Sequence, residues 1–148
     1  MKQFTLRNAT NDDIALSFAI RKSAMYGYIA ESKGWDEEKE MQDHITDFST
    51  EVMQIIETES KPVGVVESAV ENGIIYIHGL YILEEFQNCQ IGSGVLSRII
   101  ETAENEKRSI VLQVLKVNTK AKEFYSRHGF EIFSENGNYY KMIYKHVE

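Results

Sequence analysis

This chain of 148 residues has one cysteine and no long apolar run. The single cysteine, Cys89, excludes an internal disulfide and fits a reducing cytoplasm, where we expect the protein to act. No apolar stretch approaches the ~20 residues of a membrane-spanning helix. The amino terminus turns polar within a few residues, unlike a signal peptide. We therefore expect no membrane partner.

Positive charge is also scarce. Lysine and arginine number 16 against 23 aspartate and glutamate residues, which gives a formal net charge of −7. This charge, with no basic cluster interleaved with aromatic residues, argues against nucleic acid as a partner. An acidic surface favours a cationic acceptor, such as an amine.

The composition is that of one globular domain, which we assign to residues 1–148. Hydrophobic residues make up 43% of the chain and charged residues 26%. Neither a repeat nor a linker interrupts it. The predicted order of elements is β-α-α-β-β-β-α-β-α-β-β. This order predicts an α/β (α+β) fold with a mixed central sheet flanked by helices.

Hydrophobic periodicity and turn residues place the predicted elements. Helices are expected at residues 12–26 and 36–48, from Gly92 to about 106, and at 118–128, with residues 27–35 forming a loop or irregular helix. Strands are expected at residues 4–7, 52–57, 63–70, 74–83, 110–117, 130–134 and 139–146. Asn72-Gly73 predicts a tight hairpin before the strand at 74–83.

The stretch from residue 74 to 100 carries the strongest functional signal. A strand rich in β-branched and aromatic residues passes through a polar turn into a helix entered at Gly92 and Gly94. The first amides of a helix have no intrahelical partner, and the helix dipole is positive at that end. The stretch therefore predicts a cradle for a pyrophosphate. The alternative is an ordinary strand–turn–helix whose glycines only permit a tight turn.

Two segments resemble the GNAT superfamily of acetyl-CoA-dependent N-acetyltransferases. Gln87-Asn88-Cys89-Gln90-Ile91-Gly92 is similar to the family's pyrophosphate loop, Gln/Arg-x-x-Gly-x-Gly/Ala, with Gln90 in place of the first glycine. The run from Asn118 to Phe130 matches the family's Asn-x-x-Ala-x-x-Phe/Leu-Tyr-x-x-x-Gly-Phe pattern at every fixed position. A dinucleotide-binding fold is set aside because Ser97 stands at the third glycine position and hairpins precede the strand.

The resemblance implies acetyl-CoA as cofactor and a mostly antiparallel sheet with a splayed parallel strand pair. The backbone of Leu80, Tyr81 and Ile82 would hold the pantetheine arm, with a β-bulge near Gly79 and the Ile82 amide facing the thioester oxygen. The pyrophosphate loop and the second motif would supply the other cofactor-binding residues. These are Gln87, Asn88, Cys89, Gln90, Ile91, Gly92, Ser93, Gly94, Asn118 and Tyr125.

Acetyl transfer to an amine needs an acid for the departing thiolate and a base for the acceptor. Tyr125 is the predicted acid because a phenol of pKa ~10 keeps its proton at pH 7. His78 and Glu67 are the candidate bases, and the absence of any protein base is kept as an alternative. Asn118 is expected to contact the cofactor or to cap its helix.

Tyr26, Tyr28, Trp35 and Tyr76 are the predicted acceptor-site residues, with core packing as the alternative role for the aromatic residues before residue 36. The acceptor is expected to be a small-molecule, amino-acid or peptide amine. No metal is expected, Cys89 is interpreted as incidental, and a homodimer fits the family's habit. The competing hypothesis is a non-catalytic CoA-binding or regulatory module on the same fold.

Overall fold

Seven strands and four α-helices make up the described part of the chain, residues 3–146 of a computed structural model. The strands are β1 (Thr5–Asn8), β2 (Met53–Thr58), β3 (Lys61–Glu71), β4 (Ile74–Ile82), β5 (Ile110–Leu115), β6 (Glu131–Asn136) and β7 (Tyr139–Tyr144). The helices are α1 (Ile14–Ser32), α2 (Glu37–Asp47), α3 (Ile91–Glu106) and α4 (Thr119–Arg127).

The strands form one sheet in the order β1-β2-β3-β4-β5-β7-β6. Every neighbouring pair is antiparallel except β4 and β5, which run parallel. The helix α1 packs on one face, where its Ile20 joins a cluster with Ile55 and Val65 of the sheet, and α3 and α4 cover the other face. The predicted mixed, mostly antiparallel sheet flanked by helices is confirmed.

The parallel pair separates along its length. Residues 75–77 of β4 pair with residues 110–112 of β5. Beyond them β4 continues its pairing with β3 as far as Ile82, and β5 continues with β7 as far as Leu115. Because each strand keeps its outer partner, a gap opens between the carboxyl halves of β4 and β5.

The hairpin between β3 and β4 forms at the predicted Asn72-Gly73 turn. Both residues have left-handed backbone angles, with φ of 52° and 80°. These angles are the ones required by a two-residue hairpin whose twist matches that of its strands. The turn therefore sets the register in which residues 68–71 of β3 pair with residues 74–77 of β4.

The first helix is longer than expected. Residues 27–32, predicted as a loop or irregular helix, continue α1. Ile29 is 2% exposed and lies eleven residues, three helical turns, after the buried Phe18, so its burial extends the same face. A glycine inside a helix costs about 1 kcal/mol, and the burial of Ile29 outweighs that cost at Gly27. The helix ends where Lys33 and Gly34 both donate to the Ile29 carbonyl.

Within residues 3–146, no helix is both long and apolar enough to cross a membrane.

Candidate active site

A cleft of about 1470 Å³ opens where β4 and β5 separate. It runs from α1 and α2 on one side to the start of α4 on the other. Its lining includes Arg21, Met25, Ile29, Glu40, His44, Glu67, Tyr76, His78, Gly79, Leu80, Tyr81, Asn118 and Tyr125. A smaller groove of about 340 Å³, between α3 and the strands β1 to β4, contains none of the predicted site residues.

A β-bulge interrupts β4 at His78. Glu67 of β3 pairs with Gly79, whereas the next residue, Ser68, pairs with Ile77, so His78 is the extra residue. The bulge lies beside Gly79, where a break was expected. It reverses the alternation of side chains, because Ile77 and Leu80 now pack into the same cluster under α3 and α4.

The reversal places the Tyr81 side chain on the α1 face, next to Val65. In a regular strand it would share the face of Ile77. Its ring lies against Gly79, where an added Cβ would be 2.7 Å from the Tyr81 Cε2 atom. Sequence reasoning used only the backbone of Tyr81 and missed this placement of its side chain.

The predicted pyrophosphate loop precedes the amino end of α3. A short 3₁₀ turn (Glu84–Cys89) leads to Gln90, which has left-handed backbone angles (φ 63°, ψ 16°), and α3 begins at Ile91. The Gly94 amide donates to the Gln90 carbonyl at 3.0 Å. The amides of Ile91, Gly92 and Ser93 precede that bond and have no partner within the helix. The loop lies outside the lining of the large cleft.

Side chains in this loop also have structural roles. The Gln87 amide donates to the Ile82 carbonyl at 2.9 Å, which ties the loop to the end of β4. A Cβ at Gly94 would lie 2.5 Å from Phe4, so this glycine allows the close packing of that ring on α3. A Cβ at Gly92 would be 3.5 Å from Phe124, an ordinary contact. Asn88 is exposed, and Cys89 is half-buried with a free thiol.

Tyr125 lies in the wall of the cleft on α4. Its ring is 7% exposed and packs edge-on against Phe124 and Phe130, with centroids 5.1 and 5.4 Å away. Burial, with a smaller effect from nearby Tyr81, raises the pKa of Tyr125 well above its ordinary value. The phenol therefore keeps its proton throughout the physiological range.

Asn118 caps α4. Its side-chain oxygen accepts a hydrogen bond from the Ala121 amide at 3.1 Å, and the residue is 8% exposed. Asn118 also lines the cleft. Its side-chain oxygen caps the helix, and its NH2 group can donate to a ligand, so the two roles are compatible.

The two candidate bases differ in their surroundings. His78 is exposed, and its Nε2 atom lies 3.0 Å from Glu71. Its ring stacks on Tyr76, with centroids 6.1 Å apart. Glu67 is half-buried, and desolvation raises its pKa, although His78 and Arg21 oppose the shift. Of the two candidate bases, Glu67 is therefore the one more shielded from solvent.

The early aromatic residues lie outside the cleft lining. Tyr26 is 49% exposed and contacts Trp35 at a centroid distance of 5.3 Å. Tyr28 is half-buried. Trp35 donates from its indole to Glu37, and the Arg21 guanidinium lies 5.9 Å from the centroid of its ring. The residues of α1 that line the cleft are Arg21, Met25 and Ile29, at helical spacing.

An ion pair between α1 and α2, in the lining of the cleft, was missed by sequence reasoning. The Arg21 guanidinium donates to Glu40 at 2.9 Å, and Glu40 is 8% exposed. Nearby, Ser17 lies 2.8 Å from the His44 Nε2 atom, and burial together with Arg21 lowers the pKa of His44. No local sequence signal marks the ion pair, because Arg21 and Glu40 are 19 positions apart on two different helices.

Within residues 3–146, no group of three or more His, Cys, Asp or Glu side chains could hold a metal ion.

Comparison with known proteins identifies the family. The sequence model of the acetyltransferase (GNAT) family matches residues 22–130. The chain therefore belongs to the GNAT acetyltransferase family, which uses acetyl-CoA. The predicted family and cofactor are confirmed.

One curated relative is an uncharacterized N-acetyltransferase of Methanocaldococcus jannaschii. It is 28% identical over 142 residues, and the match covers 88% of this chain and 62% of the relative. The chain thus spans about three-fifths of the length of the curated relative it matches.

Solved structures share the fold. The PaiA N-acetyltransferase of Thermoplasma acidophilum, crystallised with coenzyme A, superposes with a TM-score of 0.78 at 16% identity, covering 97% of this chain and 99% of that one. The ribosomal-protein-S18-alanine N-acetyltransferase of Escherichia coli gives 0.74 at 13% identity, covering 99% and 96%. At these identities the likeness extends to the fold alone.

Proposed function

We propose that this protein is an acetyl-CoA-dependent N-acetyltransferase that acts on a primary amine of a small molecule, amino acid or peptide. One observation carries the proposal. A single cleft at the separation of β4 and β5 contains both Glu67 and Tyr125, a candidate base and a candidate acid. Family membership supplies the donor, and a structural neighbour bound to coenzyme A supports it.

The chain has the features that acetyl-CoA requires. The edge of β4 facing β5 is released from pairing beyond residue 77, so backbone groups of Leu80 to Ile82 can meet a pantetheine amide. The unbonded amides at the start of α3 suit a pyrophosphate. When bound, acetyl-CoA supplies the acetyl group as a thioester.

Glu67 and Tyr125 would manage the protons. Glu67 takes a proton from the acceptor ammonium, directly or through water, and leaves a neutral nitrogen lone pair. The transfer forms a nitrogen–carbon bond and breaks the carbon–sulfur bond. Tyr125 holds its phenol proton until negative charge develops on the sulfur and then donates it. His78, exposed beside Glu71, is the secondary candidate for the base.

The test is release of CoA thiol from acetyl-CoA over a panel of amines, with CoA binding measured by calorimetry. We expect both binding and amine-dependent thiol release. Gly92→Asp places a negative charge at the α3 amino end and should weaken CoA binding. Because Gly92 can accept a Cβ without a clash, the loss of affinity would report the charge. Unchanged binding by that variant would place the pyrophosphate elsewhere. Binding without transfer to any amine would favour the non-catalytic CoA-binding module.

Three further expectations stay predictions: a single domain over residues 1–148, a cytoplasmic location and a homodimer.

A further inference from the structure

Two features of β4 place the Tyr81 side chain in the cleft. The bulge at His78 turns its side chain to the α1 face, and Gly79 leaves room for the ring to lie flat on β4. Its hydroxyl lies 3.0 Å from the position that a Cβ of Gly79 would occupy. The phenol therefore ends at the level of the bulge, on the wall of the cleft.

Arg21 orients this phenol. Its guanidinium is anchored by Glu40 at 2.9 Å and faces the Tyr81 hydroxyl, whose pKa the cation lowers against the larger, opposing effect of burial. An arginine can donate to two groups at once, so a guanidinium held by Glu40 still has N–H groups that can donate to the Tyr81 oxygen. The O–H group is then directed into the cleft, and donation by a cation to its oxygen makes it a stronger donor.

Glu67 lies in the same cleft as the Tyr81 hydroxyl. It pairs with Gly79, so its side chain and the Tyr81 ring leave the sheet on the same face. Opposite residues of antiparallel strands have Cα atoms about 4.5–5.5 Å apart. An amine nitrogen and the carbonyl oxygen on the adjacent carbon are separated by roughly 3 Å. Because Glu67 is opposite Gly79 and the Tyr81 hydroxyl lies 3.0 Å from the Gly79 Cβ position, both side chains flank the same part of the cleft, where a group of this size can bind.

Resting on the function proposed above, we propose that Tyr81 and Glu67 together select acceptors that carry a carbonyl or carboxylate next to the reacting amine. Glu67 binds the amine, Tyr81 donates to the neighbouring oxygen, and Arg21 with Glu40 is the positioning pair that aims the Tyr81 hydroxyl. The acceptor class is thus an amino acid or the amino terminus of a peptide, in preference to a simple alkylamine.

Alaninamide and isopropylamine form a matched pair of acceptors, because they differ in the carbonyl group beside the amine. Rates are compared per neutral amine over a range of pH, since the carbonyl also lowers the amine pKa. We expect the parent to have a kcat/KM for alaninamide about 10-fold or more above that for isopropylamine. Tyr81→Phe should lower the ratio of the two rates, because it slows alaninamide more than isopropylamine.

Two variants serve as comparisons. Gly79→Ala, whose Cβ would displace the ring, should resemble Tyr81→Phe while retaining the hydroxyl. Tyr144→Phe removes a hydroxyl that donates to Glu104, away from the cleft, and should leave the preference unchanged. Melting curves of all the variants identify a loss caused by unfolding.

Binding of alaninamide to the CoA-loaded protein, followed by saturation-transfer NMR, tests the inference without turnover. Weaker binding by Tyr81→Phe, with CoA affinity unchanged, supports it. Equal losses for both amines, or a parent that treats them alike, would overturn it. Failure of CoA binding in the parent would instead refute the proposed function, so the two failures are distinguishable.

Discussion

Replacing Tyr125 by phenylalanine removes one hydroxyl and leaves the ring in place. The ring contacts with Phe124 and Phe130, at 5.1 and 5.4 Å, do not involve the hydroxyl. The cleft should therefore keep its shape, and acetyl-CoA should bind as it does to the parent. What disappears is the proton that we assign to the departing sulfur.

The size of the expected loss follows from this role. Removing a general acid costs about 100-fold or more in the rate of the chemical step. A tyrosine with only a structural role would instead lose about 1 kcal/mol of stability with its hydroxyl. In a domain of this size that corresponds to about 2–4 °C in the melting temperature. The two roles thus differ in which measurement changes.

The assay is a single-turnover measurement with enzyme in excess over acetyl-CoA, because slow product release can hide a loss in steady-state rate. We expect about 100-fold slower transfer by Tyr125→Phe, with CoA affinity from calorimetry unchanged. Tyr144→Phe is the matched control, since it also loses one tyrosine hydroxyl. Equal single-turnover rates for the parent and Tyr125→Phe would remove Tyr125 from the mechanism and leave solvent to protonate the thiolate.

Three further predictions concern other sites. Gln90→Gly should raise the free energy of unfolding by about 0.5–1 kcal/mol without weakening CoA binding, because a left-handed residue other than glycine is strained; a large loss of affinity by calorimetry would make the Gln90 side chain a ligand. Desolvation raises the pKa of Glu67 above its ordinary value of 4.5, so its deprotonation should make kcat/KM rise with pH above 4.5, and Glu67→Gln should abolish this rise. An unchanged pH profile would exclude Glu67 as the base. Arg7, at 2.8 Å, lowers the pKa of Asp13 to about 2. The ionised carboxylate therefore stabilises the fold above pH ~4, and the free energy of unfolding should fall by up to about 2 kcal/mol as the pH is lowered toward 2. Denaturant titrations at pH 5 and 2.5 on the parent and Asp13→Asn measure the loss, which the variant should lack.

Local sequence signals account for much of the fold. Asn72-Gly73 encodes a turn whose backbone angles few other residue pairs adopt, and the structure forms the turn there. The cap of α4 is equally local, since Asn118 bonds to an amide three residues away. The order of strands and helices follows from periodicity in the same way. These features depend on neighbours along the chain, so a single sequence is enough to predict them.

The features that shape the site depend on partners distant in sequence. The extension of α1 through residue 32 follows from burial of Ile29 against the rest of the domain, which local propensity at Gly27 does not encode. The separation of β4 from β5 arises because each strand pairs more extensively with another neighbour. The bulge beside Gly79 was expected from the family, but its effect on the direction of Tyr81 was not.

The ion pair between Arg21 and Glu40 shows the same limit. The residues are 19 positions apart on two helices, and neither sits in a recognisable motif. Their pairing at 2.9 Å, and the approach of Arg21 to Tyr81, exist only after α1 has packed on the sheet and α2 on α1. The sequence by itself determined the elements, their turns and the family. Tertiary packing decided which side chains meet in the cleft, because those contacts join residues that no local pattern relates.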